Sequence, residues 1–441
     1  MLMIIDLGVI GILFFAAFAW GANEPWAMAV IALASLLLLV SHTLWDTWHK
    51  DLKLYRSAFY VPLLLFLACA AVQFLQVRST VELGNSWLPH TVERHSTLLY
   101  GLLAASYVAI VFLVHQGFRS RARIKLLVLS ILALGVFESL YGLVQYLGDY
   151  NYIWDFDRAR VGFTGVASGT LINRNHYALL LNLTICAGVG YLYYRSIQLL
   201  GGRNLTLRHV LGSPHSAQLA WLVLWLALMG LALVFSMSRM GIVAMMACVA
   251  TMIVAAKVSR TGKRTTVLGF SLLFVIIGLA LYTGIDAVLA RYESLTIQGY
   301  LDKDRLPIWR DAWKMIEGAP LFGRGLGTFR WTFPTFETFE PDIPARYAHN
   351  DYLQALAEVG VVGVALLLWA FVHCWRAAAR NLSQPRDPLV VGIGLGTLGA
   401  LTACALQEAM DFSLYIPGVA TLFAALIGLN LRASIEDRNK I

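Results

Sequence analysis

The chain is 441 residues long, 59% hydrophobic and only 14% charged, with a mean hydropathy of +0.67 and a formal net charge of +8. That balance belongs to a protein solvated largely by lipid, which argues against a soluble enzyme and against nucleic acid as a partner. All five cysteines (Cys69, Cys186, Cys248, Cys374 and Cys404) fall inside apolar runs, so no disulfide framework is expected.

A hydrocarbon core of about 30 Å needs roughly 20 mostly apolar helical residues. The sequence parses into twelve such runs, near 4–22, 26–44, 61–77, 96–115, 126–147, 177–194, 218–236, 240–256, 267–285, 352–373, 389–407 and 416–431. The expected architecture is an all-α polytopic membrane protein with a single integral membrane domain over 1–441. One large extramembrane loop, 286–350, carries short helices. The stretch "FAAFAWGA" could pass as a small-residue cleavage site, but without a basic n-region the first run reads as a retained helix.

Every second connection is short and basic: "HKDLKLYR", "FRSRARIK", the 195–209 stretch, "KVSRTGKR", "WRAAARNLSQPRD" and the tail "RASIEDRNK". Cytoplasmic loops collect Lys and Arg, so these segments and both termini are assigned to the cytoplasm. They hold 20 of the 34 basic residues. Of the other 14, eight share the 286–350 loop: Arg291, Lys303, Arg305, Arg310, Lys314, Arg324, Arg330 and Arg346. Arg158, Arg160 and Arg174 lie between spans five and six. Singly, each reads as a solvated or headgroup-bound charge; as a set facing one aqueous side they point to an anionic ligand.

Polar residues also recur at chosen places along the chain. In span five Glu138, Tyr141 and Gln145 share a helical face, and intramembrane carboxylates normally face a bundle interior or a cavity. Arg239, in "FSMSRMG", marks the tight turn between spans seven and eight, with snorkelling as its alternative reading. Within the large loop, "DRLPIWRDAWKMIEGAP" predicts a short amphipathic helix with Pro307 in its first turn. Ile308, Trp309, Ala312, Trp313 and Ile316 form its apolar face, and Arg310, Asp311, Lys314 and Glu317 its polar one. Such a helix should lie at the headgroup level with its polar face toward water or a cavity. Gly323, Gly325 and Gly327 then alternate in "GRGLGTF". Their N–H groups could meet phosphate, but no strand precedes them, so this is neither a P-loop nor a dinucleotide turn.

At "HNDYLQALAEVGVVG", Asn350 or Asp351 is placed to cap the next helix, and Gln354 completes an approximate capping box. His349 has no such job. With an ordinary pKa of about 6.5 it can accept a proton at neutral pH, at the level where a water-filled face meets the bundle. Asp351, Gln354 and Glu358 carry the polar groups inward along one helical face.

The segments "SMSR" (236–239), "IWRDAWKMIEGAPLFGRGLGTF" (308–329) and "HNDYLQALAEVGVVG" (349–363), in this order around one large loop, resemble the O-antigen ligase and O-antigen polymerase superfamily of bacterial envelope glycan transferases. The resemblance covers about 160–431. "GTLINRNHYA" at 169–178 is similar to the variant of exopolysaccharide-type members, which leans the reading toward a polymerase.

That resemblance implies a metal-independent, inverting transfer, with no cofactor, at the periplasmic face of the inner membrane. The donor is an undecaprenyl-pyrophosphate-linked glycan. The acceptor is a sugar hydroxyl, on a second glycan for a polymerase or on lipid A-core for a ligase. Membrane lipids, chain-length regulators and other export-pathway proteins are the further partners it suggests. His349 corresponds to the general base, and Arg239 and Arg310 to the arginines that hold pyrophosphate. Arg174 and Arg160 join that group, with Asp351, Glu358 and Glu138 as supporting polar groups. Arginine forks bind phosphate oxygens bidentately, so the leaving group needs no divalent cation in principle. A lipid-linked oligosaccharide transporter is the alternative class, since twelve spans with both ends inside is also a transporter layout.

Overall fold

A computed structural model describes residues 2–49, 54–78, 86–162, 164–200, 216–258, 305–339, 345–383 and 387–436. The helices are α1 (Leu2–Phe18), α2 (Pro25–Trp48), α3 (Tyr60–Leu75), α4 (Arg94–Gly117), α5 (Arg121–Leu147), α6 (Arg174–Leu200), α7 (Ser216–Phe235) and α8 (Arg239–Val258). They continue with α9 (Leu306–Glu317), α10 (Asp351–Leu382), α11 (Pro388–Gln407) and α12 (Pro417–Glu436). A two-stranded hairpin, β1 (Tyr152–Ile153) and β2 (Phe156–Asp157), follows α5. Among the described residues, nine helices are long and apolar enough to cross a membrane, and α1 and α3 add two shorter apolar ones. The chain is an all-α polytopic membrane protein. The expected span 267–285 lies outside the described residues.

Two boundaries differ from expectation for local reasons. α1 stops at Phe18 because Trp20, Gly21 and Ala22 all adopt positive φ, turning the chain into Pro25 at the head of α2. α10 runs nine residues past its expected end, to Leu382, on a face that buries Cys374, Ala377, Ala378 and Asn381.

α6 is the central post. It has the lowest mean hydropathy of the nine, 1.3, and the most buried apolar window, 94%. A helix surrounded by protein need not be lipid-compatible, so Asn182, Thr184 and Ser196 are tolerated on it. Its closest neighbour is α11, where Gly190 faces Gly392. A Cβ on either residue would stand 2.1–2.3 Å from the other's carbonyl oxygen, so only small residues allow this approach.

One end of the bundle is closed by ion pairs. Arg119 Nη2 reaches Asp46 Oδ2 of α2 at 2.5 Å, Arg121 meets Asp387 at the head of α11, and Arg123 meets Asp6 of α1. Three alternate residues of the basic connection thus staple three separate parts of the chain. Each carboxylate is buried, and stripping away Arg119 or Arg123, themselves largely buried, would cost about 3–5 kcal/mol.

The other end is built around a break in α10. Gly360 leaves the helix at φ 63 and ψ −172, so Val361 N–H donates to Pro320 O (2.9 Å) and Val362 N–H to Leu321 O (3.0 Å). The carbonyls freed at Ala357 and Glu358 accept Arg324 N–H (3.0 Å) and Gly325 N–H (2.9 Å). The 320–325 segment therefore satisfies all four groups that the break exposes, a necessity at membrane depth. Gln73 of α3 adds a clamp, donating to Phe322 O at 2.6 Å and Glu358 O at 3.0 Å and accepting from Leu326 N–H at 3.2 Å.

Gly360→Ala tests this crossing. Its backbone lies in a region that glycine alone populates, and the added Cβ would stand 2.3 Å from Leu321 O. We expect a stability loss of about 2 kcal/mol or more, read as a lower unfolding temperature in detergent. Gly11→Ala, which meets nothing within 4 Å, should be neutral or slightly stabilising. Equal unfolding temperatures for the two variants would refute this account of α10.

Candidate active site

Three turns converge at the end that carries His349: the head of α6 (Arg174–His176), the head of α10 (Tyr347–Asp351) and the α11–α12 turn (Glu408–Tyr415). Their backbones are zipped together. Asp351 N–H donates to Glu408 O at 2.9 Å and Asp411 O at 3.1 Å, and Gln407 Nε2 donates to Asn175 O at 2.6 Å. Phe412 sits between the elements, stacked flat on Tyr347 with 4.1 Å between centroids. It meets the rings of both His176 and His349 edge to face, at 4.7 and 4.9 Å.

His349 is held by its neighbours rather than by a bond to its own ring. The preceding Ala348 is fixed twice, its carbonyl by Trp309 Nε1–H (2.9 Å) and its N–H by Gln354 Oε1 (3.0 Å). Asn350 caps α10 by accepting Tyr352 and Leu353 N–H at 3.0 and 3.1 Å. The cap is thus Asn350, and Gln354 reaches past it to Ala348. Between these anchors His349 adopts a left-handed φ of 49, a conformation that costs free energy and persists only where surroundings over-determine it. Burial, aided by Arg305, lowers its pKa to about 4, so the imidazole is neutral at pH 7.

Around it lies a nest of buried charge. Arg305, just before α9, is buried and donates through Nη1 to Met410 O. Asp411 Oδ1 stands 3.9 Å from His176 Nε2. Burial raises the Asp411 carboxyl to about 6 against the pull of Arg305 and Arg174. Glu408, beside Asp351, is pushed up to about 8, chiefly by burial and further by Asp411. Glu408 Oε2 also accepts Ser413 N–H at 2.8 Å, and Asp411 Oδ1 accepts Phe412 N–H at 3.0 Å. Glu408 therefore holds a proton at neutral pH, while Asp411 is mostly ionised there.

The expected residues take different places. Arg174 heads α6 within electrostatic reach of Asp411. Arg239 heads α8 next to Ser238, whose Oγ donates to Asn175 Oδ1 at 2.9 Å, which brings the α8 head to the α6 head. Arg310 is exposed on α9, with Nε 3.3 Å from Asp311 Oδ1 and Nη2 donating to Thr338 Oγ1 at 2.7 Å. Arg160 is exposed in the 3-10 turn Arg158–Val161. Glu138 accepts Thr170 N–H (2.8 Å) and Thr170 Oγ1–H (2.6 Å), and Gln145 holds Ser168 and Gly169, so the polar stripe of α5 tethers the loop leading into α6.

Glu358 is likewise a tether. It accepts Gly327 N–H (2.7 Å), Phe329 N–H (3.1 Å) and Tyr415 O–H (2.7 Å). Two amides of the glycine-rich stretch thus face a carboxylate of their own chain rather than a phosphate. α9 departs from expectation at one residue of its polar face: Asp311 is buried. Asp311 can be buried because it accepts from Lys314 Nζ (2.8 Å) and Thr338 N–H (2.8 Å). Against the cost of burial, the donors at Lys314, Thr338 and Arg310 bring its carboxyl down to about 2.

Arg305 was marked by the sequence only as one of eight basic loop residues, and His176, Glu408, Asp411 and Phe412 received no role. Two signals pointed to them: "NRNHYA" contains His176, and "QEAMDFS" puts two carboxylates in a turn at the level of His349.

Residues 224–368 match the family model of O-antigen ligase. The match runs from the middle of α7 into α10. It includes Arg239, Arg305, Arg310, His349, Asp351 and Glu358, and leaves Glu138, Arg160, Arg174 and the α11–α12 turn outside. No curated protein matches the chain.

The tether at Glu358 is separable from chemistry by substitution. Glu358→Ala would leave two buried amides and a tyrosine hydroxyl without their acceptor, at about 1–3 kcal/mol each. We expect a marked fall in unfolding temperature, with Glu358→Gln recovering part of it. Wild-type stability in the Ala variant would remove Glu358 from the architecture of the site.

Proposed function

We infer, from the match of residues 224–368 to the family model of O-antigen ligase, that the chain transfers a glycan from an undecaprenyl-pyrophosphate donor to a sugar hydroxyl at the periplasmic face of the bacterial inner membrane. The superfamily carries the coarse activity, a ligase- or polymerase-type step in envelope glycan processing. The observation that supports the finer reading is a neutral, conformationally fixed His349 at a site where Arg305, Arg174 and the α8 head gather positive charge.

In this mechanism the acceptor hydroxyl passes its proton to His349 as its oxygen attacks the anomeric carbon. The bond from that carbon to the phosphate oxygen breaks on the opposite side, which inverts the anomeric configuration. Arginines take up the charge of the departing pyrophosphate, a task suited to their planar, permanently protonated forks, so the step needs no metal. Arg305 and Arg174 act on the acidic turn; Arg239 at the head of α8 and Arg310 on the exposed face of α9 complete the proposed set. An arriving pyrophosphate also offsets the field of Arg305 and so raises the basicity of His349 in the loaded site.

The break in α10 has the look of the discontinuous helices of transporters, but its freed backbone groups are consumed by the 320–325 segment instead of facing a cavity. The enzyme reading is therefore preferred. Between its two forms we favour the polymerase, on "NRNHYA" alone.

Purified protein given lipid-linked repeat units alone should build a ladder of longer lipid-linked chains, and the ladder should survive a chelator. Product that appears only when lipid A-core is added would make it a ligase. Transbilayer movement of the substrate without any transfer would overturn the enzyme reading. His349→Ala should abolish product with the fold retained, because Asn350 still caps α10. For the free enzyme kcat/KM should fall only as the pH drops toward about 4. Undiminished product from His349→Ala would remove it from the mechanism.

Topology has its own test. A cysteine at the exposed Thr335 should react with a membrane-impermeant thiol reagent in cells whose outer membrane alone has been permeabilised. Labelling that requires opening the inner membrane would invert the assignment.

A further inference from the structure

The hairpin after α5 carries an aromatic surface that the transfer chemistry does not use. Its sequence, "DYNYIWDFD" at 149–157, sets four rings among three acids. Tyr150, Tyr152 and Trp154 are 41%, 45% and 43% exposed. Trp154 lies 5.4 Å from Tyr141 and stacks on Phe137 at 6.4 Å, while Tyr150 bridges Tyr141 and Tyr152 at 6.4 and 5.9 Å. The rings form one continuous shelf.

The shelf is rigid. Trp154 sits at φ 55, which is strained for a bulky residue. Its N–H donates to Tyr141 Oη at 3.2 Å and its indole N–H to Phe18 O at 2.8 Å. The shelf is also linked to the site through the end of α1. Phe18 ends α1, and five residues on Asn23 Oδ1 accepts the hydroxyl of Tyr347, the ring stacked on Phe412 beside His349.

Exposed tyrosine and tryptophan near a membrane surface ordinarily serve as interfacial anchors. The charge here argues otherwise. Residues 149–160 hold Asp149, Asp155 and Asp157, and of their two arginines Arg158 is buried and only Arg160 is exposed, whereas attachment to anionic lipid relies on basic clusters. Flat rings with carboxylates between them suit a neutral polyol: the negative ring faces attract the C–H faces of a pyranose, and the carboxylates accept its hydroxyls.

We propose that this shelf is a glycan-holding subsite, which seats several sugars of the acceptor oligosaccharide while its terminal hydroxyl is presented to His349. The proposal rests on the transfer reading for its purpose, but binding is measured without turnover. The probe is the repeat oligosaccharide released by mild acid from the lipid-linked pool of the producing cells. Saturation transfer from protein aromatic protons to this saccharide is recorded in nanodiscs, on a His349→Ala background. Tyr150→Ala and Tyr152→Ala, which remove exposed rings, should each weaken binding roughly two- to tenfold, and Asp155→Lys should weaken it as well. Trp154→Phe, which keeps a ring in the stack, should bind more tightly than Trp154→Ala. In active protein given a fixed amount of lipid-linked donor, the same tyrosine variants should raise KM for the released oligosaccharide added as acceptor.

Saccharide binding that is absent in the wild type, or unchanged in the two tyrosine variants, would overturn the subsite. So would Asp155→Lys tightening attachment to vesicles rich in phosphatidylglycerol with no effect on the saccharide, which would make the hairpin an anchor. Binding that persists in a protein shown to transfer nothing would refute the transfer reading and leave the subsite standing.

Discussion

The exchange of hydrogen bonds at Gly360 is the constraint on which the rest of the site end depends. A continuous helix would pair Val361 with Ala357 and Val362 with Glu358; here those partners are shared with the 320–325 segment instead. Four bonds replace two, and the segment is drawn into the bundle as though it were part of the helix. Everything downstream in that loop inherits a fixed origin. The glycine turn lands on Glu358, Tyr415 reaches the same carboxylate, and α9 closes over the head of α10 through Trp309.

The protonation pattern at the site follows from that enclosure. His349 is held neutral because water is scarce around it and Arg305 is near; Asp411 and Glu408 rise for the first of those reasons. A site with positive groups and part-protonated acids has little net negative charge to repel an anionic ligand. It also keeps the His349 imidazole neutral at pH 7.

The helices were legible because lipid imposes one rule, and eleven of the twelve expected runs coincide with described helices. What the pattern could not supply were partners distant in sequence. The polarity of Glu358 was visible, but its donors at Gly327, Phe329 and Tyr415 are set by the break at Gly360, a residue with no periodic signature. Helical-wheel logic placed Asp311 outward; Thr338, 27 residues on, turns it inward. The basic loop was correctly seen as a concentration of charge, yet position along a loop could not distinguish Arg305, buried under Met410, from Arg310, which lies exposed against Thr338. His176 and Phe412 become neighbours only when the heads of α6 and α10 and the α11–α12 turn meet.

The ion pairs at the opposite end bear on the order in which the bundle can be assembled. Asp6 and Asp46 precede Arg119 and Arg123 in the chain, so both pairs can close as soon as α5 has been synthesised. Arg121 waits for Asp387, 266 residues later. Asp387 also caps α11, the helix packed tightly on α6. The same five-residue turn therefore records the first and last stages of assembly: two bonds fasten the N-terminal helices early, and the third closes when the C-terminal helices dock.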